Sequence, residues 1–449
     1  MNPTSKTPNR HAGDAVLDRR SFLRRSGAGL LGLTALDYRM LARGFGASGA
    51  SAADRIVLGF IGVGGMGMSR LRGFLEQPDV DVAAVCDVDA NHVEEAIAFV
   101  QERGRRLPKA FHDYRDLLNE SDIDAVVVIT PDHWHAIPTV HACEAGKDVF
   151  VEKPLSYSIP EGRAMADAAA RYQRVTQMGN HIHNDLPNYR RVVERVKSGQ
   201  LGKVTRVHLW KASNTEGRGN PPDGTPPPGL DYDFWLGVAP RRPYNPLRSH
   251  FTWRYFWDYS GGEFMDFWCH IADVAYWALD LKAPETVSAI GGRFHLDDGT
   301  ETPDTMEAQL AFPGLNFVFR LHPRPLPGFE HMGHIGCVFE GTQATLVTSY
   351  DRHEVYVDGK KQEELPEPSV HIPDSPGHLR EFLDGIRSRN LNTTCNVGYG
   401  HQLTKAGLLA NIALRSGGSV RWDDEREAIV DNPEAQRLLR ESWRLPWVL

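Results

Sequence analysis

Two hydrophobic rhythms divide the chain. Between Ile56 and Met178, runs that are apolar at nearly every position (Ile56 to Ile61, Val82 to Cys86, Ala125 to Ile129, Val149 to Val151) alternate with segments of helical spacing: Gly67 to Leu75, Asp89 to Arg103 and Ile137 to Ala145. Such runs predict strands buried on both faces, and strands alternating with helices predict a parallel sheet wound by right-handed crossovers. After the strand Val175 to Met178 and an amphipathic helix from Leu186 to Ser198 the rhythm changes. Strands are predicted at Val204 to Trp210, Glu285 to Ile290, Met306 to Phe312, Phe317 to Leu321, Cys337 to Glu340, Thr345 to Thr348 and Glu354 to Val357, several of them alternating. The expected fold is an α/β N-terminal Rossmann domain, a doubly wound parallel sheet over residues 53–179. It is followed by an α+β C-terminal domain over residues 180–449, with a large, mostly antiparallel open sheet. The segment Gly217 to Gly229, dense in Gly and Pro, reads as a surface loop or a lid.

Length supports that division, since 449 residues exceed what one core usually serves. A hydrophobic content of 41% and a charged content of 24% are those of a globular protein, and a net charge of -8 argues against a nucleic-acid partner. Five scattered cysteines without a C-x-x-C pair indicate neither a disulfide framework nor a zinc site. The first 52 residues are biased differently. Asp18-Arg19-Arg20-Ser21-Phe22-Leu23-Arg24, a weakly apolar run from Gly27 to Leu36, and Ala50-Ser51-Ala52 resemble a twin-arginine export signal with cleavage near Ala52. The apolar run is too short for a stable membrane anchor. The expectation is passage through the twin-arginine translocase to the periplasm; the competing reading is a disordered basic tail.

The candidate chemistry gathers at strand ends. Val149-Phe150-Val151-Glu152-Lys153-Pro154 is a buried strand that stops at an acid and a lysine. Proline biases Lys153 toward extended geometry at the carboxyl end of the sheet, where open α/β folds bind ligands. Upstream, Gly62-Val63-Gly64-Gly65-Met66-Gly67 sets G-x-G-x-x-G between a strand and a helix, where the backbone and the helix N-terminus can receive a pyrophosphate. Asp87, closing the next strand, stands where an acid takes the adenosine ribose hydroxyls. It would repel a 2′-phosphate and no arginine follows it directly, so NAD is expected over NADP. Thr130-Pro131-Asp132-His133-Trp134-His135 ends another strand. His133 and His135 are too close in sequence to share a helical face and no carboxylate or thiol cluster completes a site, so no metal is expected there.

These residues resemble the glucose–fructose oxidoreductase/inositol dehydrogenase family, Gfo/Idh/MocA. The likeness rests on the glycine turn with Asp87, the T-P-x-x-x-H stretch from Thr130 to His135, and Glu152-Lys153-Pro154. It continues through Ser260-Gly261-Gly262-Glu263-Phe264-Met265-Asp266-Phe267-Trp268-Cys269-His270, similar to G-G-x-x-x-D-x-x-x-H. The stretch from Gly400 through Asn411-Ile412-Ala413-Leu414 to Leu445-Pro446-Trp447 is similar to an exported bacterial subgroup. The resemblance implies that Lys153 is the catalytic lysine beside the nicotinamide, that Asp266 and His270 complete the constellation, and that Glu152 and His135 lie near the nicotinamide ribose. It also implies contacts to the cofactor from Gly62, Gly64, Gly65, Met66, Gly67, Asp87, Thr130 and Pro131. A substrate site is implied on one face of the second sheet, subunit contacts on the other, and a homo-oligomer, dimer or tetramer. The chain departs from the family at Trp268, where members often have glycine.

Asp266 and His270, four positions apart, project from one helical face. Oxidising a secondary alcohol removes the hydroxyl proton as hydride leaves carbon. His270 suits the proton, Asp266 could orient it or hold a neighbouring hydroxyl, and Lys153 could stabilise the alkoxide and position the alcohol. A capped, buried helix start is the plainer reading. Of the many aromatics between Trp235 and Trp277 most read as core. A minority could floor a sugar site, with His181, Arg254 and Asp258 as hydroxyl contacts. The leading expectation is an exported NAD-dependent oxidoreductase acting on a secondary hydroxyl of a sugar, polyol or glycoside. Because NAD is scarce outside the cytoplasm, the cofactor should travel with the folded protein and stay bound. The alternatives are a redox-neutral NAD-dependent glycoside hydrolase acting by transient oxidation and elimination, and a non-catalytic sugar-binding protein.

Overall fold

The structure is a computed structural model that describes residues 55–430, 432–439 and 443–449. The expected export signal over residues 1–52 lies outside them.

The first half runs β1 (Ile56–Ile61), α1 (Gly65–Leu75), β2 (Val80–Cys86), α2 (Ala90–Glu102), β3 (Lys109–Phe111), α3 (Tyr114–Leu118), β4 (Ala125–Val128), α4 (Ala136–Glu144), β5 (Asp148–Val151), α5 (Ile159–Tyr172) and β6 (Thr176–Met178). Its strands form one parallel six-stranded sheet ordered β3-β2-β1-β4-β5-β6. Winding turns outward in both directions from β1 and β4, which makes their carboxyl ends the switch point where such sheets open a crevice. The four residues of β4 and of β5 are all buried, as the unbroken apolar runs require. β3 was not legible in the sequence: its three edge residues are exposed or half-exposed and too few to show a period.

The second half contributes α6 (Ile182–Asp185), α7 (Pro187–Lys197), β7 (Val204–Ala212), α8 (Tyr232–Leu236), α9 (Gly262–Leu279), β8 (Thr286–Gly292), β9 (Thr305–Phe312), β10 (Leu315–His322), β11 (Ile335–Gly341), β12 (Thr345–Thr348), β13 (His353–Val357), β14 (Lys360–Lys361), α10 (His378–Ser388), α11 (Val397–Arg415), β15 (Val420–Asp423) and β16 (Ala428–Val430). A ten-stranded sheet ordered β14-β13-β12-β11-β7-β10-β9-β8-β15-β16 results, antiparallel except where β7 lies parallel to β10. Residues such as Leu209, Phe317, Phe319 and Phe339 face the helices α9 and α11 in one continuous core.

Two excursions tie the second half back to the first. The strap between β7 and α9 is largely exposed across Gly217 to Gly229. It then docks on the start of α2: Ala90 N donates to Gly229 O at 3.0 Å and Asp231 N to Val88 O at 2.9 Å. Later, α10 lays Phe382 against Phe74 and Phe150 of the first domain.

Candidate active site

The glycine turn after β1 is built as its chemistry needs. Gly62 has φ +87°, and a side chain there would run into Ile129 O at 2.4 Å; one at Gly67 would meet Gly62 O at 2.3 Å. α1 has Gly64 as its N-cap, with no side-chain cap and no acid in its first turn, which leaves the leading N–H groups to an anion. Asp87, at the end of β2, accepts from Val63 N at 2.9 Å and from Asp89 N at 3.0 Å, so its carboxylate is locked to the turn. These features fit a dinucleotide.

The crevice above them is a cavity of about 560 Å³. Gly62, Gly64, Gly65, Met66, Gly67 and Asp87 line one wall. Thr130, Pro131, His135, Glu152 and Lys153 line the next, and Asp266 and Arg254 come from the second domain. His135 sits between two carbonyls, Nδ1 2.8 Å from Pro154 O and Nε2 2.9 Å from Thr130 O, of which a neutral ring donates to one, while His133 Nε2 lies 3.0 Å from Trp235 O. Thus both histidines of the T-P-x-x-x-H stretch are committed to backbone oxygen.

Lys153 Nζ donates to Asp266 O at 3.0 Å and pairs with its carboxylate. Burial works against the ammonium, but Asp266 outweighs it and holds the Lys153 pKa above its ordinary value. Burial likewise opposes the Asp266 carboxylate, and Lys153 with Arg254, whose Nε is 3.5 Å away, keeps it ionised and its pKa low. Both Asp266 and His270 leave α9 on one side, and the Asp266 carboxylate is held by the two cations. His270 Nδ1 is buried with no hydrogen-bond partner, and burial together with the Lys153 charge pushes its pKa down to about 3. The imidazole is neutral across the physiological range.

The three expected hydroxyl contacts separate. Arg254 is on the cavity wall, its guanidinium 4.3 Å from the Trp253 ring centroid. His181 lies off that wall with its ring 5.9 Å from that of His270, and Asp258 is paired with Arg242 outside the cavity lining. Trp268 does not shape the pocket. Its fully buried indole donates to Leu403 O at 2.7 Å and packs between α9 and α11, where a side chain on Gly407 would meet it at 2.9 Å.

Three contributors were not singled out from sequence. Arg70 on α1 pairs with Glu152 at 2.5 Å, and burial raises the pKa of Asp132, which accepts from Ser260 Oγ at 2.5 Å. His250 reaches the cavity from the strap. Only the position of Asp132, inside a strand-end motif, carried a signal.

Residues 56–180 match the oxidoreductase family with an NAD-binding Rossmann fold, and residues 190–298 match its C-terminal alpha/beta domain. The chain belongs to this family, Gfo/Idh/MocA, and NAD is the cofactor of its first domain. A glycosyl hydrolase family 109 protein of Shewanella pealeana is 35% identical over 159 residues, 34% of this chain and 34% of that protein. The match thus spans about a third of the length of such relatives. Among solved structures, the WlbA dehydrogenase of Bordetella pertussis, in complex with NADH and UDP-GlcNAcA, is similar with TM-score 0.58 and 17% identity over 82% of this chain and 99% of that one. A levoglucosan dehydrogenase in complex with NADH and L-sorbose gives the same TM-score of 0.58, also at 17% identity, over 82% of this chain and 99% of its own. At such identities these neighbours establish the fold.

Proposed function

We propose that the protein is an exported oxidoreductase that uses tightly held NAD to oxidise a secondary hydroxyl of a sugar, polyol or glycoside. The observation that carries this reading is the Lys153 and Asp266 pair set into the wall of the dinucleotide cavity, with His270 one helical turn further along α9. NAD, when bound, supplies the hydride acceptor. Lys153, fixed as an ammonium, donates a hydrogen bond to the substrate oxygen and stabilises the charge that develops on it. The neutral His270 imidazole, whose buried Nδ1 makes no hydrogen bond, stands behind this wall rather than on it, and is the base assigned to the hydroxyl proton once substrate is bound. Arg254 on the cavity wall offers a cationic edge to a carbohydrate.

A second reading has a specific support in the name of the hydrolase relatives. In it the same oxidation is transient: the ketone acidifies the neighbouring C–H, the glycosidic oxygen leaves by elimination, water adds to the double bond so formed, and the ketone is reduced again by the hydride first removed. One experiment separates the two. Purified protein with no NAD added is mixed with a panel of free sugars and glycosides while NADH absorbance and released aglycone are followed. We expect bound NAD to copurify. NADH that accumulates with substrate supports a net oxidation, and brief absorbance followed by aglycone release supports the redox-neutral cycle. An empty protein that turns over only with added NAD refutes retention, and silence on every substrate in the presence of NAD counts against an enzyme.

A further inference from the structure

At the Asp87 end of the cavity, where the strap meets the start of α2, three side chains converge that the alcohol chemistry does not use: His92 and His250 on the cavity wall and Asp89 next to them. Asp89 and His92 are three residues apart at the N-terminus of α2 and so share a face, and His250 approaches from the strap. One donor atom from each lies within 4.8 Å of the others. We propose that Asp89, His92 and His250 form a binding site for a divalent transition metal of the zinc class.

The donor set is two imidazoles and a carboxylate, which zinc accepts in four-coordinate sites with a remaining position for water. The carboxylate is already oriented. Asp89 Oδ1 takes the main-chain N of Asn91 at 2.9 Å and its side-chain N at 2.8 Å, which turns Oδ2 toward His250 Nε2, 2.9 Å away. Outer hydrogen bonds of this kind hold a metal ligand in place. The His92 and His250 rings lie 4.6 Å apart between centroids. His92 Nδ1 is buried, makes no hydrogen bond and lies 3.3 Å from Asp87 Oδ2, so a second carboxylate favours a cation here. Tetrahedral ligands at zinc distances stand about 3.4 Å apart, so no pair need close by more than about 1.4 Å. His250 supplies the travel, since its side chain is 34% exposed on a loop. An ion so held would staple the strap to the first domain at the Asp87 end of the cavity.

The test uses the full mature chain at pH 8, stripped with chelator and titrated with zinc chloride against a chromogenic competitor, and separately with Co²⁺ read by its visible spectrum. We expect one ion per chain and the intense bands of four-coordinate Co²⁺. His92→Gln and His250→Gln should each weaken zinc binding by about 10-fold or more. Asp89→Asn, which keeps an oxygen for the Asn91 N–H, should do the same. Circular dichroism confirms that each variant is folded, and the exposed His250 change is the least intrusive of the three. A stripped wild-type chain that takes up no stoichiometric zinc overturns the site, and so does zinc affinity unchanged in the folded His250→Gln variant.

Discussion

Lys153 shows how little freedom a working cation is given. Its ammonium is held by a carboxylate and a carbonyl of the same residue, Asp266, on a helix that begins more than a hundred residues later in the chain. Lys153→Ala removes the charge next to the developing alkoxide and should lower turnover about 100-fold or more, roughly 2.7 kcal/mol, while bound NAD is retained. Stopped-flow NADH absorbance and extraction of the cofactor measure the two effects separately; near-normal turnover would take Lys153 out of the reaction. What made Lys153 legible was contiguity: an apolar strand, an acid, a lysine and a proline in one run. Arg70 and His250 reach the site only through folding, and their spacing in sequence encodes none of it, whereas Asp132 at least lies inside a strand-end motif. The Asp266 and His270 pair was half legible. Four-residue spacing gives the shared face, but that Asp266 answers to Lys153 and Arg254 depends on elements brought from elsewhere.

Among the elements, α9 carries both chemistry and core. Its Asp266 reaches Lys153 of the first domain and its His270 ring stands 5.9 Å from that of His181, while Trp268 fills the gap against α11. A departure from the family's usual residue thus proves to be a packing choice. Trp268→Ala should cost about 3–5 kcal/mol of stability, as large buried aromatics do, and leave the substrate profile of the remaining folded protein unchanged. Urea denaturation and relative rates across the sugar panel check this; an altered profile at full stability would place Trp268 in the pocket after all. The strap was legible only as a Gly- and Pro-rich interruption. Its docking on α2 runs through backbone hydrogen bonds, for which side-chain patterning leaves no trace.

For the molecule as a whole, buried histidines set the response to acid. Burial pushes the pKa of His133 down to about 4 and that of His270 to about 3, from an ordinary value near 6.5. Between those values the unfolded chain binds protons that the native state refuses, so stability is fully present above pH 6.5 and falls as the pH drops toward 4. The melting temperature should therefore be lower at pH 5 than at pH 7.5, and His133→Gln should flatten the difference. Equal melting temperatures would mean these rings are not held neutral. Residues 1–52 act at this scale too, under the proposed export. Replacing Arg19 and Arg20 by lysine should leave the precursor in the cytoplasm with that segment uncleaved, as read by fractionation and mass; mature protein delivered by a strain without the twin-arginine translocase would refute the route.

The return of α10 to the first domain has a further consequence for how the chain comes into being. Phe74 and Phe150 are shielded by Phe382, which leaves the ribosome more than two hundred residues after the last strand of the sheet it completes. While the second domain is being synthesised, the nascent Rossmann sheet carries an unfinished apolar face. That face is completed only once translation is nearly over, when Phe382 has emerged.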